Sequence, residues 1–276
     1  MGKKTRKLVT AVLALIFVIS TVVVICQAAD RSEAADAYSE AEKIALSGGK
    51  REEIPLANLE EMRIPEETEP LSWIPEPVAE EDANMAYLEK IDLDALREEN
   101  EEVVGWIHIP GTRINYPIMQ GQDNQYYLKH TWNNYPNGAG SIFLEHQNSD
   151  DLTDFNTVIY GHNMADGSMF ATLHSYAYSW FAEKNPYVYV KTDAGVWRYE
   201  VFASYNASTE GTTYGLSFNE EQTRQDFLVA ALAQSQIRTK VVPEITDRIL
   251  TLSTCTGGGY DNRRVVLARL KMIPEE

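Results

Sequence analysis

The stretch "LVTAVLALIFVISTVVVIC", Leu8–Cys26, runs for 19 residues without a charge. At about 1.5 Å of rise per residue, a helix of that length crosses most of a hydrocarbon core. Such a segment dictates where the rest of the chain can fold. Lys3, Lys4, Arg6 and Lys7 precede it and no acid stands before Asp30, which predicts a cytoplasmic N-terminus and an external remainder. A cleaved leader is the competing reading, because "CQAA" offers small residues for cleavage. The apolar run is longer than the ~7–15 residues of a leader core, so an uncleaved single-pass anchor over residues 1–29 is expected. Cys26 reads as a membrane-facing thiol, since Ile25 stands where a lipidation site needs a small residue.

Charge divides the remainder. The whole chain carries −17, with +4 in residues 1–29, −11 in 30–82 and −10 in 83–276. With no basic patch to neutralise phosphates, nucleic acid is excluded as a partner. Residues 30–47 are rich in Ala and Glu and predict a solvated helix stopped by Gly48–Gly49. Residues 51–82 are dense in Glu and Pro, too polar and too broken to bury a core. Residues 30–82 are therefore read as an acidic stalk, and residues 83–276 as the folded domain.

Within that domain, "MAYLEKIDLDALREEN" has helical spacing at Tyr87, Leu88, Ile91 and Leu96. Short β-type runs follow: "VVGWIHI", "INYPIM", "GSIFLE", "NTVIYG", "YVYVKT", "VWRYEVFASY", "RILTLST" and "RVVLARL". "TDAG" reads as a hairpin turn. Two helices interrupt the strands. "SMFATLHSYAYSWFAEKNP" places Phe170, Leu173, Ala177 and Phe181 on one face. "SFNEEQTRQDFLVAALAQSQIRTK" opens on Ser217 and Glu220 at capping-box spacing, with an apolar face through Phe227, Ala231 and Leu232. Eight strands without regular βα alternation predict a mainly β fold, a barrel with attached helices.

Cys255 is the only cysteine after Cys26. An exported domain has no partner for it, and a lone exported thiol invites explanation. It ends an apolar strand, enters "TGGG", and has Ser253 and Thr254 beside it and Arg263 and Arg264 downstream. Left to itself, such a cysteine is a small buried hydrophobe. A returning guanidinium would instead favour the thiolate. Of the five histidines, His108 sits in a strand, His130 and His146 in polar loops and His174 on a helix. His162 follows a β-branched run and a glycine, a strand-end position like that of Cys255. No histidine pair has metal-ligand spacing, and neither metal nor cofactor is expected.

In this order, "VVGWIHIPGTRINYPIMQG", "GSIFLE", "VIYGHNM" and "TLSTC…NRRVVLARL" resemble a sortase across about residues 84–272. "QDNQYYL", "YGHNMADGSMF" and the helical insertion before the cysteine strand are most similar to class B sortases. The resemblance implies a closed eight-stranded barrel, cysteine transpeptidase activity and a Gram-positive cell surface. It assigns Cys255 as nucleophile, His162 as the family histidine and Arg263 as the family arginine, with Arg264 on the other face of the strand. Asn124, Leu128, Ser253 and Thr254 are expected in the substrate groove, with one wall from the insertion between Tyr205 and Val242. The implied partners are secreted proteins bearing a sorting motif and a peptidoglycan precursor amine. Three alternatives are weaker. A papain-like peptidase places Cys before His. A pilin-polymerising sortase usually adds a C-terminal span, whereas this chain ends "LKMIPEE". An inert stalked binding module has no use for a thiol, an imidazole and a guanidinium.

Overall fold

The computed structural model describes residues 3–47, 82–255 and 261–270. A 45-residue helix, α1 (Lys3–Ser47), comes first. Two short helices follow, α2 (Ala83–Glu89) and α3 (Leu93–Arg97). The strands are β1 (Val103–His108), β2 (Asn115–Met119), β3 (Ile142–Leu144) and β4 (Asn156–Tyr160). After α4 (Ser179–Lys184) come β5 (Tyr187–Thr192) and β6 (Gly195–Ser208). Helix α5 (Glu221–Gln234) leads into β7 (Arg248–Cys255) and β8 (Asn262–Leu270). All eight expected strands are present, and they close into a barrel in the order β1-β2-β3-β4-β7-β8-β6-β5.

Most neighbours are antiparallel, but β4 and β7 run parallel, pairing Asn156 with Ile249 through to Tyr160 with Ser253. Parallel strands need a long crossover, and here residues 161–247 supply it, with β5, β6 and α5 inside it. The barrel interior is filled by Ile107, Ile118, Ile159, Leu250 and Leu252, all buried. A second apolar layer lies outside, where Phe227, Leu228 and Ala231 of α5 cover Phe202, Ile249 and Val265. Strands covered on both faces read as continuous apolar runs, which is why β7 looked like an ordinary core strand.

Three helical expectations are corrected. Residues 83–97 form two helices, because Asp82 and Asp92 each cap a separate one by accepting from Asn84 N and Ala95 N. Residues 168–186 form a 3-10 segment (Ala171–Ala177) and then α4, broken where Tyr178 is extended. α5 starts at Glu221 on Glu220 without a side-chain cap, so the Ser217–Glu220 box does not form, and Leu232 is exposed while Leu228 is buried.

Residues 30–47 are not a solvated spacer. They continue the helix of the apolar run and pack on the barrel through Ala34, Tyr38, Ala41 and Ala45, all buried. Tyr38 sets its ring edge-on to Tyr116 at 5.1 Å and donates its hydroxyl to the Gly140 carbonyl. Trp132 Nε1 donates to Ala37 O at 2.8 Å, and Glu42 accepts from Tyr87 and Asn115. Alanine counts as neutral in composition, yet its small side chain lets a helix backbone lie close against a sheet. The remainder of the expected stalk, residues 48–81, lies outside the described residues.

Candidate functional site

Parallel pairing brings the C-terminal ends of β4 and β7 to the same end of the barrel. Cys255 closes β7 and His162 stands two residues past β4. Gly161 N still donates to Ser253 O at 3.1 Å, so the sheet register carries through to the histidine. Beyond it the chain folds back on itself: Asn163 bridges Met169, and Phe170 N donates to His162 O at 2.9 Å. Two residues far apart in sequence are thereby held side by side by backbone alone.

The His162 ring and the Cys255 thiol border one cavity, and each acts on the other's titration. His162 Nε2 lies 2.8 Å from the carbonyl oxygen of Leu128. A carbonyl only accepts, so Nε2 carries the proton and Nδ1 is left for the sulfur. The interaction with Cys255, and then the Leu128 carbonyl, raise the His162 pKa against the opposing effect of burial. The interaction with His162 lowers that of Cys255, burial opposes it, and the charge of Arg263 adds to the lowering. Both shifts favour an imidazolium–thiolate pair.

Arg263 faces Cys255 directly across the β7–β8 ladder, and Arg264 faces Thr254. Alternation along a strand puts these two pairs on opposite faces. Arg263 is half-buried at the cavity, whereas Arg264 is buried and bonds Gln236 Oε1 at 2.8 Å. Thr254 goes with Arg264: its hydroxyl is buried without a partner among the described residues. Thr254 borders the cavity, while its place in the β7 alternation puts its side chain on the face of Arg264.

The cavity over the sulfur holds about 310 Å³ and is bordered by all seven residues expected from sequence, Asn124, Leu128, His162, Ser253, Thr254, Cys255 and Arg263. Ser253 shares a 2.9 Å hydrogen bond with Tyr214. Asn124 is committed at both ends, donating to Glu145 Oε2 at 2.6 Å and accepting from His146 N at 3.0 Å. The buried Glu145 also accepts from Tyr160 at 2.9 Å, so Asn124 and Tyr160 are braced by one carboxylate.

Sequence reasoning missed the aromatic wall. Phe143, Tyr160 and Tyr214 line the cavity, and Tyr160 and Tyr214 stack at 6.3 Å. Burial pushes Tyr214 up to about 12, which keeps its phenol neutral. Tyr160 stands two residues before His162 and could have been read from that position; Tyr214 carries no local signal. The expected groove wall from residues 205–242 reduces to Thr209 and Tyr214, while α5 packs away from the cavity. His174, read only as a helix residue, places Nε2 2.8 Å from the Cys255 carbonyl oxygen. Among the described residues no group of three or more His, Cys, Asp or Glu is placed to hold a metal ion.

The sortase domain family model matches residues 107–271. Sortase B of Listeria monocytogenes is 39% identical over 177 residues, 64% of this chain and 72% of that protein. Sortase B of Staphylococcus aureus is 32% identical over 180 residues, 65% of this chain and 74% of its own. Among solved structures, the Staphylococcus aureus sortase B–substrate complex superposes with a TM-score of 0.62 at 32% identity, covering 66% of this chain and 85% of that one. Sortase B from Bacillus anthracis in complex with AAEK1 superposes with a TM-score of 0.65 at 29% identity, covering 87% and 97%. The chain belongs to the sortase family of cysteine transpeptidases, on its class B branch.

Proposed function

We propose that this sortase is anchored by α1, cleaves a C-terminal sorting motif after Thr on a secreted protein, and joins the acyl fragment to a peptidoglycan amine outside a Gram-positive cell. The observation that supports this most is that Cys255, His162 and Arg263 border one cavity, with Arg263 directly opposite Cys255 on β8. α1 contains the one helical stretch, among the described residues, long and apolar enough to cross a membrane. The basic residues before it favour the N-terminus inside.

The reaction has two halves. The Cys255 thiolate attacks the Thr carbonyl carbon, forming a C–S bond, and the carbonyl oxygen takes the charge beside the Arg263 guanidinium. His162 gives its Nδ1 proton to the leaving amine as the C–N bond breaks, leaving a thioester. An incoming amine then attacks the thioester. His162 takes its proton, the C–S bond breaks, and the thiolate returns. Arginine cannot be the acid, because its pKa stays above about 12. The Leu128 carbonyl keeps the ring oriented through both halves, since Nε2 stays protonated throughout.

Full-length protein in detergent, mixed with sorting-motif peptides and short amines, is the test. Mass spectrometry should find cleavage after Thr, a transient adduct on Cys255 and a ligated product. The Cys255→Ala variant should form none of these, and transfer by that variant would refute the scheme. A preference for a protein lysine over peptidoglycan-type amines would favour the pilin-polymerising alternative.

A further inference from the structure

Helix α1 passes from its uncharged stretch to the barrel without a hinge. There is no proline or glycine between Lys3 and Ser47, the residues that kink helices. Residues 12–33 are exposed throughout, and the first buried position is Ala34. One turn earlier, Asp30 O accepts from Asn137 Nδ2 at 2.8 Å. The barrel therefore begins within two turns of Ala29, the last residue before the first acid.

The end of the barrel that meets Asp30 is the end that carries the cavity. Asn137 N donates to Lys129 O at 2.8 Å, and the preceding Leu128 carbonyl holds His162. On the other side of His162, the folded-back loop carries Asp166 at its tip. Arg113 Nη1 donates to Asp166 O at 2.7 Å. Ser168 foremost, with Arg31 of α1 contributing, holds the Asp166 carboxyl below its usual range, so Arg31 lies near that tip. Four residues of extended chain span about 13 Å, which bounds the distance from His162 to the tip. Arg31, Arg113 and Lys129 are all exposed along this edge of a chain whose net charge is −17.

We infer that the cavity end of the barrel rests on the outer lipid headgroups, held there by α1 as a rigid extension of its membrane span, with Arg31, Arg113 and Lys129 facing the headgroup phosphates. Substrates are then taken up at the bilayer surface. This inference rests on α1 spanning the membrane, and the experiment separates the two.

The full chain, carrying Cys26→Ser and Cys255→Ala, is reconstituted in phosphatidylglycerol–phosphatidylcholine vesicles with single nitroxide labels at Val18→Cys, Gly138→Cys, Ala165→Cys or Val229→Cys. A Cβ at Gly138 meets nothing within 4 Å, Ala165 is exposed, and Val229 is 54% exposed on α5. Power-saturation EPR reads collisions with oxygen, which enters lipid, and with a nickel chelate, which stays in water. Val18 should meet oxygen only, and Val229 should meet nickel freely. Gly138 and Ala165 should lose nickel collisions relative to Val229. Nickel access at 138 and 165 equal to that at 229, with Val18 still in lipid, would overturn the docking and spare the anchor. Nickel access at Val18 would overturn the anchor and the docking together.

Discussion

Arg263 and Arg264 are neighbours in sequence and opposites in environment, so replacing each with methionine separates chemistry from folding. Arg263 sits half-buried at the cavity, opposite Cys255 in the β7–β8 register. Directly opposed residues on one sheet face stand about 4.5–5.5 Å apart at Cβ, close enough for a guanidinium to reach charge developing beside the sulfur. Losing one such donor costs about 2.7–4 kcal/mol in the transition state, or 10²–10³-fold in kcat. Because the group is partly exposed, water screens it, and the lower end, about 10²-fold, is expected for Arg263→Met. Arg264 is 6% exposed, its Nε has no partner among the described residues, and burial lowers its pKa. Replacing a whole buried ion pair with apolar side chains is often neutral or stabilising by about 1–4 kcal/mol, and the same sign is expected for Arg264, whose charge is opposed only by burial. The lost bond to Gln236 takes back about 1 kcal/mol. Arg264→Met should therefore leave transfer near wild type and leave Tm unchanged or raised. The assay is steady-state transfer between a cleavable motif peptide and an amine, with thermal unfolding in parallel. If Arg264→Met loses transfer a hundredfold while Arg263→Met keeps it, the assignment of faces is wrong.

Three further outcomes follow from the same geometry. His162, and then Arg263, hold the Cys255 thiol below its ordinary range, so its alkylation should persist below the pH of about 8.5 at which a free thiol titrates. In His162→Ala the midpoint of the rate–pH curve should rise; an unmoved midpoint would show that the imidazole does not activate the sulfur. His174→Leu removes the donor to the Cys255 carbonyl, a bond worth about 1 kcal/mol or roughly fivefold. It should lower kcat with KM unchanged and be restored by His174→Gln, and an equal loss in both variants would rule out positioning through that bond. Gly161→Ala should lower stability by about 1–3 kcal/mol, because a Cβ there meets Ile142 Cδ1 and the Phe170 ring; an unchanged Tm would mean the loop gives way freely.

The strands were legible because each is a short β-branched or aromatic run between turn residues, a signal that survives without knowledge of partners. The two-residue turn at Asp193–Ala194 was legible for the same reason, with Thr192 paired to Gly195 as a hairpin requires. The breaks at Asp92 and Tyr178 were not, since helical spacing continues across both and only the capping and the fold of the neighbouring loop interrupt it. Cys255 and His162 stood out by residue type at strand ends, and the family resemblance ordered them. Their meeting depends on β4 and β7 being parallel neighbours, a pairing that no local pattern encodes.

The same pairing explains why so little of the site needed special residues. Once Tyr160 is set against Ser253, the chain leaving β4 and the end of β7 are neighbours by backbone geometry, and the histidine and the thiol need only occupy the next positions. What remains is to aim them, and this is done mainly by main-chain oxygens: the Leu128 carbonyl aims the His162 ring, and the Cys255 carbonyl is itself bonded to His174. Main-chain acceptors can be supplied by any residue type, so these restraints leave no mark in the sequence. The packing of Ala34, Ala41 and Ala45 on the barrel is hidden in the same way, because a small side chain shows its role only when a surface lies against it. Side chains that carry charge or a nucleophile are therefore readable from sequence, and the backbone that places them is not.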